Sequence, residues 1–365
     1  MISGSGNERL SNSEVRELLA RRVTTELLGK EGGVEFVESS PITSNYYSFT
    51  FSLKVRTLDG VSEVFVKIPK KDLRAHVRDI LPIEEGDRQM GEDEAQSLQF
   101  LNQRWQGDAV NVYWVNLRGV ITEFNALVTD GIDGEEATTV FRRLDLRRRC
   151  GFLRDAGTLR SSMARLGEAL GRYHQNNAVP AVFRLSDALP KVESYCRALR
   201  QSSGSVLPEL AYRTLENMAG LELPGLMVPT IKGIDVRNVV VDADNSLYLL
   251  DPGKSKLTFR ETDIARFVMT YRILYWGSPL LMFVREPDRN AELSFLEAYN
   301  ATTRLSSSRL LDIYILKEQL KHWHTAMQSL EKVNWAPVVQ RIVERIYVRP
   351  FYEAQVASQL SVLTH

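Results

Sequence analysis

Four side chains, widely spaced along the chain, are of the types that phosphoryl transfer uses. Lys67 lies in the run VFVKIPK and Glu94 in EDEAQSLQFL, while Asn238 and Asp251 stand in NVVVDADNSLYLLDPGK. Moving a phosphoryl group asks a protein for little covalent chemistry; it asks for cations fixed around the phosphates. A lysine meets the nucleotide phosphates and a carboxylate holds that lysine. Oxygen donors hold magnesium, which favours carboxylates, carbonyls and water. Here Lys67 is set among apolar neighbours on a predicted strand, and Glu94 lies on the helix that follows. Asn238 opens one strand and Asp251 closes the next, with a turn through Asp242-Ala243-Asp244-Asn245 between them. The first and last residues of a hairpin are neighbours, so Asn238 and Asp251 are expected side by side. Each residue alone also has an ordinary structural explanation: an edge-strand lysine, an acid favoured by a helix N-terminus, a strand-ending turn. Their combination, in this order, points to a nucleotide site.

The elements that must carry them can be read from periodicity. Ser11 and Glu14 form a capping box before Val15, Leu18, Leu19 and Val23 at helical spacing. Residues 34 to 68 then alternate apolar and polar with a turn at Leu58-Asp59-Gly60, which predicts a hairpin whose second strand bears Lys67. A charged stretch leads into an acidic-start helix with Glu94, followed by strands at VNVYWVN, GVITEF and NALVTD. Beyond residue 135 the pattern is mainly helical: 157 to 176, 186 to 219, 261 to 276, and 287 to about 360. The exceptions are strands at 239 to 242 and 247 to 250. The predicted class is α+β and bilobal, with a β-rich lobe over 1–134 and a helical lobe over 135–365.

Composition narrows the function classes. The chain has 365 residues, 46 basic and 46 acidic, so no global field draws it toward nucleic acid or a membrane surface. Cys150 and Cys196 are its only cysteines and suggest neither a disulfide framework nor a zinc site. No apolar run approaches the ~20 residues of a membrane-spanning helix, the run SPLLMFV near residue 280 is simply core-like, and the polar start lacks a secretion signal. A cytoplasmic protein is expected, and its oligomeric state is not legible.

Taken in order, these pieces resemble the protein-kinase-like superfamily, specifically its aminoglycoside and choline phosphotransferase branch, over residues from about 40 to 330. VFVKIPK is similar to the nucleotide-lysine strand, EDEAQSLQFL to the helix with the paired Glu, and ALVTDGIDG to the hinge. LGEALGRYHQN resembles the small-residue helix before the substrate region, NVVVDADNSLYLLDPGK the metal-binding segment, and ETDIARFV the Asp-containing helix after it. The resemblance implies ATP and Mg2+ as cofactors and a hydroxyl of a small molecule or sugar as acceptor. Lys67 and Glu94 would then serve the phosphates, Thr129 to Gly131 the adenine, and Asn238 and Asp251 the metal.

The chain departs from that family in two places. Its phosphate turn, SSPITSNYYSF, has no glycine, which leaves Ser44 and Asn45 as the positions nearest the phosphates. The family's His-Gly-Asp is replaced by Ile231-Lys232-Gly233, so the base expected five residues before Asn238 is missing. Asp235 is the substitute candidate, with its own loop as the alternative partner, and Lys232 is placed to stabilise a transferred phosphate by charge. Two other functions stay open: a pseudokinase that scaffolds or regulates, and transfer of a nucleotidyl group. His174 is expected to be structural, bonding nearby backbone or the Asp251 loop. The five arginines between 142 and 149 are either a solvated face partnered by Asp145 and Asp155 or an anion site. Lys254 and Lys256 are placed to meet a charged substrate.

Overall fold

The computed structural model describes residues 11–28, 35–45, 47–57, 60–72, 75–76, 83–276, 286–305, 307–332 and 335–364. The expected turn residues Leu58 and Asp59, the run SPLLMFV, the polar start and part of the charged stretch after Lys70 lie outside them. In chain order the elements begin with α1 (Asn12–Arg22), β1 (Glu35–Ser39), β2 (Thr43–Ser44), β3 (Ser48–Thr57) and β4 (Gly60–Pro69). Then come α2 (Glu85–Arg104), β5 (Val112–Trp114), β6 (Leu117–Ile121), β7 (Ala126–Asp130) and β8 (Gly134–Glu136). Helices α3 (Ala137–Arg149) and α4 (Leu153–Asn177) precede β9 (Val179–Arg184), α5 (Leu185–Ser203), α6 (Leu207–Glu216) and β10 (Glu222–Thr230). Next are β11 (Val239–Asp242), β12 (Leu247–Leu249), β13 (Lys256–Phe259), α7 (Glu261–Arg272) and α8 (Arg289–Thr302). The chain closes with α9 (Ser308–Lys332), α10 (Pro337–Val343) and α11 (Arg349–Thr364). The class is α+β as expected, strand-rich early and helical late.

Two compact units emerge. The first comprises Met1–Trp105, Tyr113–Glu135 and Val240–Ser255; the second comprises Gln106–Val112, Glu136–Val239 and Lys256–His365. In the first, an antiparallel sheet runs β1-β3-β4-β7-β6, with β2 added on β3. Alternation sorts its faces. Phe49, Phe51 and Leu53 of β3 and Val64, Val66 and Ile68 of β4 are buried with Val15 and Leu19 of α1 and with Val23 just after it. Thr50 and Lys67, paired across the two strands, belong to the opposite set. The capping box at the start of α1 forms as expected: Ser11 N–H donates to Glu14 at 2.6 Å and Glu14 N–H to Ser11 Oγ at 3.3 Å. The β11–β12 hairpin turns where expected, with Asn245 in the left-handed region at φ 61°.

The second unit is helical around α4 and α8. Gly167 of α4 lies so close to α8 that a Cβ there would sit 2.1 Å from the Phe295 carbonyl oxygen, so the small residue sets the spacing. The unit also holds a sheet, β13-β10-β9, which the periodicity did not reveal. The reason is Pro224 and Pro229 within β10, paired with Val182 and Leu257; proline argues against a central strand. Most of the arginine run is consumed locally. Arg148 and Arg149 both bond the fully buried Asp145, which also accepts from Tyr275 at 2.6 Å. Arg142 donates to the Leu274 carbonyl at 2.5 Å, and Arg147 pairs with Asp155 at 3.2 Å. Asp145 and Asp155 are the expected partners, but one of them is a core residue. Cys150 and Cys196 are free thiols, and among the described residues no helix is long and apolar enough to cross a membrane.

Candidate active site

Lys67 is the centre of a three-residue cluster in the first unit. Its ammonium reaches Glu94 Oε1 at 2.7 Å and Oε2 at 2.9 Å from β4 to α2, and Asp251 Oδ1 at 2.7 Å in the turn after β12. The Glu94 side chain is 7% exposed and that of Asp251 50%, so Lys67 links a buried carboxylate to one facing solvent. Burial alone would lower the Lys67 pKa, but the two carboxylates outweigh it and hold it above the ordinary lysine value. For Glu94, burial and the Asp251 charge push the pKa up against the pull of Lys67. Two carboxyl groups thus flank one ammonium. Asp251 is also held at φ 52°, a left-handed conformation that costs a non-glycine residue about 1–3 kcal/mol.

The turn between β2 and β3 divides the two residues expected there. Asn45 Nδ2 donates to Thr50 Oγ1 at 2.9 Å, and Thr50 pairs directly with Lys67, so Asn45 shares the lysine face. Ser44 pairs with Phe49 and accepts instead from Lys70 Nζ at 2.8 Å, whose ammonium lies 4.2 Å over the Phe49 ring. Phe49 belongs to the α1 face, so Ser44 turns away from Lys67. At the other expected edge, Thr129 is buried. The amides of Asp130 and Gly131 already donate to the carbonyls of Asn116 at 3.1 Å and Glu63 at 2.9 Å.

In the second unit, the loop Ile231–Asn238 is pinned from inside. Ile231, Ile234 and Val236 are buried, and Val236 N–H donates to Thr270 Oγ1 at 3.3 Å. Asp263 of α7 accepts the Ile231 amide at 3.0 and 3.1 Å and faces His174 Nε2 at 3.2 Å. Burial lowers the His174 pKa, which favours the neutral ring. Accepting at Asp263 then requires a proton on Nε2, and Tyr299 donates to Nδ1 at 2.8 Å. His174 is therefore structural, through Asp263 and Tyr299 rather than through backbone or the Asp251 turn. Lys232 is exposed. Asn238 Nδ2 donates to the Gly233 carbonyl at 2.8 Å, and no described residue donates to its Oδ1.

Asp235 is 3% exposed, and its carboxylate is fully engaged by its neighbour. Oδ1 accepts the Arg237 amide at 2.9 Å and Arg237 Nε at 2.9 Å, while Oδ2 accepts Arg237 Nη2. Burial would raise its pKa, but Arg237 outweighs burial and holds it below the ordinary carboxylate value. A folded-state pKa below the unfolded one adds stability above the unfolded value, and this is lost as pH falls through the folded value. Acid titration of the chain should therefore show a destabilising step below the ordinary aspartate range that Asp235→Asn removes. Identical acid-unfolding curves for the two proteins would contradict the pairing.

No protein-family model matches the chain and no curated protein matches its sequence. Solved structures that resemble it include a choline kinase of Streptococcus pneumoniae, 12% identical at TM-score 0.47 over 95% of this chain and 99% of that one. An aminoglycoside phosphotransferase of Alicyclobacillus acidocaldarius is 11% identical at TM-score 0.49, covering 89% and 93%. A macrolide 2'-phosphotransferase of Brachybacterium faecium is 11% identical at 0.48, covering 92% and 98%. These likenesses are distant. The fold rests on the elements described above.

Sequence reasoning missed several residues around these centres. Thr50 carried no signal beyond strand alternation, because its importance lies in the β3–β4 register. Tyr299 stands 125 residues from His174, and only the packing of α8 on α4 joins them. Arg237 was within reach: an aspartate two residues before an arginine at a turn is a familiar local capping pattern.

Proposed function

We propose that the chain is an ATP- and Mg2+-dependent phosphotransferase acting on a hydroxyl of a small molecule or sugar. The observation that carries this is the Lys67 ammonium held between buried Glu94 and half-exposed Asp251. Glu94 fixes the lysine, which would bind nucleotide phosphates by charge. Asp251 brings a carboxylate with one oxygen not engaged by Lys67. Such a donor suits magnesium, which is held by one or two carboxylates together with substrate phosphates and water. When bound, the metal neutralises charge developing on the transferred group. Asn45 and Thr50, on the lysine face, are the side chains we assign to the phosphate turn in place of glycine.

For the acceptor side, Asp235 would have to leave Arg237 to act as a base. We therefore assign the loop an electrostatic role, with Lys232 and Arg237 as its exposed cations; loose phosphoryl transition states rely on such charges more than on a base. The engaged Asp235 also favours one rival function, a pseudokinase that binds nucleotide without turnover. ATP with Mg2+ at a hundred times its dissociation constant should stabilise the protein by about 2.7 kcal/mol, with most of that lost in Lys67→Ala. Mass spectrometry of products from a panel of alcohol acceptors should show a gain of phosphate. No stabilisation by nucleotide would sink the proposal; stabilisation without product would favour the pseudokinase, and a nucleotide adduct would indicate nucleotidyl transfer.

A further inference from the structure

Helix α2 grips more than Lys67. Asp93, Glu94 and Ser97 stand at positions i, i+1 and i+4, and each bonds outside its own helix. Glu94 takes the lysine. Asp93 Oδ1 accepts from Lys254 Nζ at 3.0 Å. Ser97 Oγ donates its hydrogen to the Asp93 carbonyl at 2.8 Å, which orients a lone pair to accept the Ser255 amide at 3.1 Å. Ser97 is 5% exposed, so water does not readily replace it.

The segment so gripped needs holding. Asp251 sits at φ 52° and Gly253 at φ 62°, on either side of Pro252. A residue before proline is driven toward extended backbone, so the left-handed Asp251 is disfavoured twice over. Released from α2, it would relax toward the extended region and carry its carboxylate away from Lys67.

We propose that Asp93, Ser97 and Lys254 are positioning residues: a clasp on α2 that keeps Asp251 in the strained conformation where its carboxylate serves both Lys67 and a divalent cation. This rests on Asp251 being the metal ligand. One helix then sets the lysine through Glu94 and the metal carboxylate through Asp93 and Ser97, so a displacement of α2 disengages both together.

The test uses the full chain, Mn2+ as the metal probe read by electron paramagnetic resonance with a non-hydrolysable ATP analogue, and hydrogen exchange at the Ser255 amide without ligand. Ser97→Ala should speed that exchange about tenfold, the effect of losing one hydrogen bond. Ser97→Ala and Lys254→Met should each weaken Mn2+ binding by about tenfold while leaving metal-free nucleotide affinity unchanged. Ser97→Thr and Lys254→Arg should recover most of the loss. Unchanged exchange at Ser255 in Ser97→Ala overturns the clasp, and so does faster exchange with Mn2+ affinity within about twofold of the parent. A parent chain that takes up no Mn2+ with nucleotide overturns the metal role of Asp251, and with it the phosphotransferase assignment; the exchange result then still decides whether α2 holds the turn.

Discussion

Asp251→Asn is expected to reduce phosphoryl transfer by about 10²–10³-fold, the scale seen when one preorganised group is removed from a charge-stabilising site. Asparagine keeps the size of the side chain and tolerates a positive φ, so the turn survives the change. What disappears is a negative charge 2.7 Å from the Lys67 ammonium and the anionic oxygen available to a cation. Because that side chain is half exposed, folding stability should change little. The decisive measurement is turnover at saturating nucleotide over a range of Mg2+ concentrations, alongside a thermal melt. A variant that melts like the parent and turns over within about threefold of it would remove Asp251 from the chemistry. Glu94→Gln should behave differently, because it leaves Lys67 with only the solvent-facing partner; its loss should fall more on nucleotide affinity than on metal affinity.

The second large effect concerns stability. Asp263→Ala should destabilise the second unit by about 2–6 kcal/mol, since it leaves two buried donors unsatisfied at about 1–3 kcal/mol each. Asp263 is 1% exposed and receives the Ile231 amide and His174 Nε2, so alanine strands two donors where no water reaches. Asp263→Asn can still accept through one oxygen and should lose less. Urea unfolding of the two variants should give that order, and the Ile231 amide should exchange faster in both. A loss below about 1 kcal/mol for Asp263→Ala would mean that the loop is held by Ile231, Ile234 and Val236 alone.

How far the site could be read in advance varies with the range of each contact. Lys67 and Glu94 were legible because strand alternation and helical phase are local, and a lysine and an acid in those settings imply a partner. Ser44 and Asn45 looked equivalent in sequence, yet the β2–β3 register turns them to opposite faces. A shift of a single residue would exchange them. The β13-β10-β9 sheet escaped notice because prolines in β10 break the expected composition. Asp235 illustrates the opposite case. Its offset from the position where the resemblance implies a base was plain, but its engagement with Arg237 depends on how the loop closes over Thr270.

By itself, the sequence determined the α+β class, the strand-rich early and helical late order of most elements, and the residue types proposed to serve a nucleotide. These follow from periodicity and turn chemistry, which act over a few residues. The tertiary structure alone decided that Asp251 reaches Lys67, that His174 answers to Asp263, and that α2 holds the turn carrying Asp251. Those contacts join residues 184, 89 and 158–161 positions apart. Side-chain contacts of that separation arise from the packing of whole elements, whose spacing and phase are set by every residue between them rather than by any local pattern.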